Sequence, residues 1–213
     1  MLGEEHPDTL TSANSLAFNL GVLGEYEVAR RLAEDTLARS RRVLGEEHPD
    51  PLNSASILAR ALRALGEYEA ARRLAEDTLA RRRRLLGEDH PDTLISATNL
   101  AADLWSLEQY EAARRLAEDT LARRRRVLGQ EHPDTLNSAS NLAFYLGVLG
   151  EYEVARSLAE DTLARSRRVL GEEHPVTLVS AGNLAADLRA LGQPEAARQL
   201  DEDTETRRRA SGN

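Results

Sequence analysis

The chain has 213 residues, 41% hydrophobic and 30% charged, and its 4% aromatic content leaves Leu and Ala to build any core. A net charge of −8 argues against nucleic acid as the main partner, although all 28 basic residues are Arg. The absence of Cys excludes disulfides and thiolate metal sites.

The N-terminus, MLGEEHPDTL, lacks the basic start and apolar run of a signal peptide. The longest largely apolar stretch, Leu142 to Leu149, is far too short to cross a bilayer. A cytoplasmic protein with no membrane partner is expected. The exclusive use of Arg is associated with GC-rich bacterial genomes.

A pentapeptide, Gly-Glu-Glu-His-Pro, stands at Gly3 to Pro7 and returns at Gly45 to Pro49, with near-copies from Gly87, Gly129 and Gly171. A fixed 42-residue period means a stacked array of one repeated unit. The expected units are 2–43, 44–85, 86–127, 128–169 and 170–213, forming a single repeat array over 1–213.

The first unit predicts helix A over Asp8 to Leu23 and helix B over Glu25 to Leu44. Pro7 suits a first helical turn, and Asp8 is the expected acceptor for free backbone N–H groups. Gly24 and then Gly45 end the two helices, each in a left-handed conformation. Ala13, Leu16, Ala17, Leu20 and Leu23 mark one face of helix A. Tyr26, Ala29, Leu32, Ala33, Thr36, Leu37, Val43 and Leu44 mark one face of helix B. Small Ala residues let neighbouring helices approach, and Leu fills the gaps. The later units repeat this pattern.

The string NLAFYLGVLGEYEVA at 141–155 resembles a tetratricopeptide repeat, with Leu-Ala in helix A, Gly-x-Tyr at the turn and Ala in helix B. The repeat is longer than the usual 34 residues or so. With its Leu-Gly-x-x-His-Pro junction it is similar to the repeats of kinesin light chains and of bacterial signalling proteins. The resemblance covers essentially the whole chain. It implies an all-α, right-handed α-solenoid of five helix-turn-helix repeats. Three departures stand out: Thr36 and its equivalents replace Ala, Glu108 replaces a turn Gly, and Pro194 replaces a turn Tyr.

The two ends differ. Asp201 and Glu205 fall on the apolar stripe of the last helix B, which suits a polar C-terminal cap. Met1-Leu2-Gly3 reads like the end of a preceding helix B, and helix A of the first unit carries no polar cap. Further upstream sequence, or self-association through this uncapped edge, would account for that.

Comparison among the repeats points to a working surface. The column of Phe18 reads Phe18, Arg60, Ala102, Phe144, Ala186; that of Asn19 reads Asn19, Ala61, Asp103, Tyr145, Asp187; that of Gly21 reads Gly21, Arg63, Trp105, Gly147, Arg189. Helix B's exposed residues barely change over four units. In the family resembled, helix A lines the concave groove, so the variation falls where a ligand would bind. Asn99, Asn141 and Asn183 form a ladder whose amides suit an extended peptide's backbone. The ladder is broken by Ser15 and Ile57, and local bonding to helix backbone is its alternative reading. Trp105, Phe144 and Tyr145 are candidate aromatic anchors, or are partly buried between helices. Arg60, Arg63 and Arg189 are candidates for acidic ligand groups, with Asp103, Asp187, Phe18 and Asn19 beside them.

Other signals carry no chemistry. His6, His48, His90, His132 and His174 occur once per unit, about 10 Å per helix apart, whereas zinc needs ligands at about 2 Å. They read as junction residues. The runs Arg81 to Arg84 and Arg123 to Arg126 lie in last helical turns, where cations oppose the negative helix end, and read as solvated. There is no phosphate loop or Ser-His-Asp set. Neither enzyme activity nor a cofactor or metal is expected.

The leading expectation is a non-catalytic scaffold that binds a peptide or partner segment in the groove of the A helices. The alternatives are a sensor or regulatory arm of a larger bacterial signalling protein, NTPase-linked, and a self-assembling structural element.

Overall fold

The computed structural model describes residues 3–211. Met1 and Leu2, read above as the end of a preceding helix, and Gly212 and Asn213 lie outside the described residues. The described residues form ten helices and no strand. These are α1 (Pro7–Val22), α2 (Tyr26–Leu44), α3 (Pro49–Ala64), α4 (Tyr68–Leu86), α5 (Pro91–Ser106), α6 (Tyr110–Leu128), α7 (Pro133–Val148), α8 (Tyr152–Leu170), α9 (Pro175–Ala190) and α10 (Pro194–Ser211). The odd-numbered helices are the predicted A helices and the even-numbered ones the B helices.

The A helices begin one residue earlier than predicted, because His and not Asp is the cap. His6 Nδ1 accepts from the Asp8 backbone N–H at 3.2 Å. His48, His90, His132 and His174 repeat the bond at the same distance. The bond needs a free lone pair on Nδ1, so it exists only with that nitrogen unprotonated. Asp8 instead sits in the first turn, where its charge favours the helix N-terminus.

The two helix exits also differ from one another. After α1, the Glu25 N–H donates to the Leu20 carbonyl at 2.9 Å and the Gly24 N–H to the Gly21 carbonyl at 3.3 Å. With Gly24 at φ 85° this is a Schellman cap. Gly45, after α2, has φ 84° and ψ 161°. That is not the left-handed helical region expected above but an extended mirror region essentially confined to Gly.

The chain divides into two compact units, Met1–Ala113 and Arg114–Asn213. In the first, Ala17, Ala33, Leu37, Ala55, Leu58, Leu62 and Ala71 form a core between α1, α2, α3 and α4. In the second, Ala143, Ala159, Leu163, Ala181, Leu184, Ala185, Leu188 and Ala197 do the same between α7, α8, α9 and α10. Ala at the helix crossings lets backbones approach, and Leu fills the flanks. Thr36 is buried at the same level, and its Oγ1 donates to the Leu32 carbonyl at 2.7 Å. The hydroxyl is satisfied within its own helix, which explains why Thr is tolerated where Ala is usual.

The Leu16 column is core only in the later repeats. Leu16 is 53% exposed, whereas Leu58 and Leu100 in the same unit are each 7% exposed. Leu23, also expected in the core, is 76% exposed. At the other end of the chain Asp201 and Glu205 are both exposed.

Candidate functional site

In the first unit the exposed faces of α1, α3 and α5 border a groove of about 470 Å³, lined in part by Phe18, Asn19, Arg60, Arg82 and Asn99. Four of the sequence-predicted residues therefore meet in one place. The 42-residue period puts one column on successive A helices, and α1 packs against α3 and α3 against α5. Phe18 is exposed, and the Arg60 guanidinium lies 4.5 Å from its ring centre. Burial, with the like charge of Arg63 nearby, lowers the Arg60 pKa. Arg60 has no carboxylate partner among the described residues.

Arg63 is already engaged. Its Nη1 donates to Asp103 Oδ1 at 2.7 Å and to the Asn99 carbonyl at 3.3 Å. Asp103 is fully buried, and burial raises its pKa to about 6 against the opposing pull of Arg63. Trp105 is half-buried against Tyr110, with ring centres 4.7 Å apart.

Arg82 is a groove residue that the sequence reading missed. Its place in an Arg run at a helix end predicts a solvated side chain, yet it is 3% exposed. It donates to the Asp92 carbonyl at 3.0 Å, Ser96 Oγ at 2.7 Å and Asn53 Oδ1 at 2.5 Å. Burial lowers its pKa. In the second unit Arg124 is buried likewise, bonding the Asp134 carbonyl at 2.9 Å and Ser138 Oγ at 2.6 Å. The signal was present: the column reads Ser40, Arg82, Arg124, Ser166, Arg208 on the apolar stripe of helix B. A Ser in that position in two copies marks an inward-facing site.

In the second unit α7 and α9 present Phe144, 44% exposed, beside a space of about 160 Å³ that Asn183 and Asp187 also line. Tyr145 is 6% exposed and packs in the core, its ring 6.0 Å from that of Phe144. Asn141 is half-buried. Asn183 Nδ2 donates to the Ser140 carbonyl at 3.0 Å, the local bond that was the alternative to a peptide ladder. Arg189 is exposed and paired with Asp201. Asp187 is 4% exposed, and its Oδ2 is buried with no hydrogen-bond partner. Burial raises its pKa to about 6.

Among the described residues no group of His, Cys, Asp and Glu could hold a metal ion. Among them, too, no helix is long and apolar enough to cross a membrane.

The Tetratricopeptide repeat family matches this chain over residues 8–84, 55–126, 98–147 and 134–210. A Podosopora anserina protein assigned as a kinesin light chain, with nearly identical repeats of this kind, is 30% identical. That match covers 100% of this chain and 99% of the other, with a TM-score of 0.81. BtubC from P. vanneervenii shares the fold at 19% identity, covering 97% of this chain and 82% of its own, with a TM-score of 0.82. A Rap protein complexed with Competence and Sporulation Factor is 12% identical, covering 96% and 66%, with a TM-score of 0.66. No curated protein matches the sequence.

Proposed function

We infer the function from one premise: the chain belongs to the tetratricopeptide repeat family. That repeat fold is typical of protein–protein interaction scaffolds. We propose a cytoplasmic scaffold that binds a partner segment along its A helices, without chemistry, and that α1, α3 and α5 favour an acidic stretch of that segment. Arg60 carries this reading. It is partly desolvated, held over Phe18 and without a carboxylate, whereas Arg63 and Arg189 already have theirs. A partner's carboxylate would form a charge-assisted pair there. Asn19 and Asn99 line the same groove and would bond the segment's backbone, and Asn141 would do so in the second unit, where Asn183 is instead held by the Ser140 carbonyl. Phe18 and Phe144 are the exposed aromatic anchors; Trp105 and Tyr145 shape the surface from below. The Rap protein of similar fold is likewise found complexed with another molecule.

The test is a peptide-library capture with wild type and Arg60→Gln. Acidic ligands should dominate the wild-type set and weaken at least tenfold in the variant. If the variant keeps every ligand with unchanged affinity, the reading is wrong.

A second reading, self-association, is favoured by the exposed Leu16, Val22 and Leu23 on the outer side of α1. Light scattering that shows a monomer at every concentration would remove it.

A further inference from the structure

We propose that the second compact unit contains a socket for a basic side chain, a guanidinium or ammonium, with Asp187 as its counter-charge. The proposal deepens the reading above by naming what one position of the α7–α9 surface selects.

The pattern for the socket stands in the first unit. There Arg63, near the end of α3, reaches Asp103 on α5, 40 residues on. Two periods later the same positions are Gly147 on α7 and Asp187 on α9, with Asn183 standing where Asn99 stands beside Arg63. The carboxylate is kept and the cation is gone. Where the Arg63 side chain leaves its helix, the second unit has a space of about 160 Å³, against roughly 30 Å³ per liquid water.

Asp187 faces that space. A Cβ placed on Gly147 would lie 2.5 Å from Asp187 Oδ1, so the carboxylate leans into the volume that an Arg stem would fill. Its other oxygen is buried and unpartnered, as is that of Asp103, but Asp187, unlike Asp103, has no cation paired with it among the described residues. A buried carboxylate without a partner is costly, and the cost is relieved by a proton or by a cation. The surroundings suit a cation. Tyr152 lines the space with Asp187, and an aromatic ring beside a cation is favourable. The mouth is open, since Val148 is 56% exposed. A basic group entering from the open side would meet Oδ1, the oxygen that lies beside Gly147, and an Arg or a Lys could supply it.

The experiment needs no natural partner, so its result stands apart from that of the peptide capture. Amide NMR shifts are followed while Nα-acetyl-arginine amide is added at pH 7.5, with Nα-acetyl-citrulline amide as the neutral probe of the same shape. Saturable shifts are expected at Gly147, Asn183 and Asp187 with the arginine probe, and binding at least tenfold weaker with citrulline. Asp187→Asn should abolish the response. Gly147→Arg should abolish it too, by supplying the cation from within, and should keep the helical circular dichroism of the wild type. Equal shifts with both probes, no saturable shift with either, or a saturable shift that survives Asp187→Asn would each overturn the proposal. Capture of acidic ligands with an unresponsive socket would overturn this proposal and leave the groove reading standing.

Discussion

Arg63 and Asp103 in the first compact unit occupy the same two repeat positions as Gly147 and Asp187 in the second, yet only in the first is the buried carboxylate paired with a cation among the described residues. A third version, Gly21 and Ala61, has neither charge and lines an open space of about 230 Å³ between α1, α2 and α3. The scaffold around the three versions is nearly constant. Paired charge, no charge and single charge at one joint therefore form a natural mutational series within one chain. It teaches that the fold tolerates a buried carboxylate here without requiring one, so its retention opposite Gly147 calls for a cause outside packing.

The sharpest way to break the comparison is Arg63→Ala. Asp103 is 0% exposed and would be left buried without its cation. Loss of one partner of a buried pair costs about 3–5 kcal/mol. Urea unfolding at pH 8 should show a loss of that order. The double change Arg63→Gly with Asp103→Ala, which copies Gly21 and Ala61, should recover most of it, because no lone charge remains. A loss below about 1 kcal/mol for Arg63→Ala would mean that the pair is not what makes Asp103 tolerable.

The second test sharpens the other half. Asp187 is raised from the ordinary 3.8 to about 6 by burial. The native state then holds the proton more tightly than the unfolded chain. Its contribution is fully favourable below about pH 4 and is lost as pH rises through 6. Among the residues lining the space with Asp187, only Tyr152 is another ionisable group. Asp187→Asn should therefore stabilise the protein by ~1–3 kcal/mol above pH 7 and by nothing from this source below pH 4. Thermal melts at pH 4, 6 and 8 read the difference. A gain that does not change with pH would show that Asp187 is already compensated.

The same comparison shows what could be read from residues alone. The ten helices were legible because Gly and Pro punctuate each one and apolar positions recur at helical spacing. The His cap was not, since the usual capping residues are Ser, Thr, Asp and Asn and an Asp stood two positions later. Asp103 and Asp187 read as surface because a charge in a variable column does so, and Arg82 because it stands in an Arg run at a helix end. What betrays Asp103 is pairing across the period. Arg63 changes together with Asp103 when set against Gly21 and Ala61, and such joint change between positions 40 residues apart marks a contact. Tyr145 was weighed as an anchor because its column varies freely, but variation at a helix joint also follows from neighbours that change size.

The smallest effect concerns the turn that closes each A helix. In four repeats the residue at positive φ is Gly: Gly24 at 85°, Gly66 at 81°, Gly150 at 83° and Gly192 at 73°. In the third repeat it is Glu108 at 59°, the one non-Gly residue with positive φ among the described residues. Its hydrogen bonds are nonetheless those of its counterparts, since the Glu108 N–H reaches the Trp105 carbonyl at 3.0 Å and the Gln109 N–H the Leu104 carbonyl at 2.9 Å. The cap is thus complete, and only the backbone conformation is unfavourable for a residue with a Cβ, by ~1–2 kcal/mol. Glu108→Gly removes that strain but enlarges the unfolded ensemble, an opposing change of ~0.4–1 kcal/mol. The net expectation is a gain of ~0.5–1 kcal/mol in urea unfolding. Gly150→Glu in the second unit should show a loss of similar size, because it imposes the same strained conformation on a matching turn. Opposite signs at the two turns would establish that the backbone sets the difference. A loss at both would mean that Glu108 makes a contact worth more than the strain it carries.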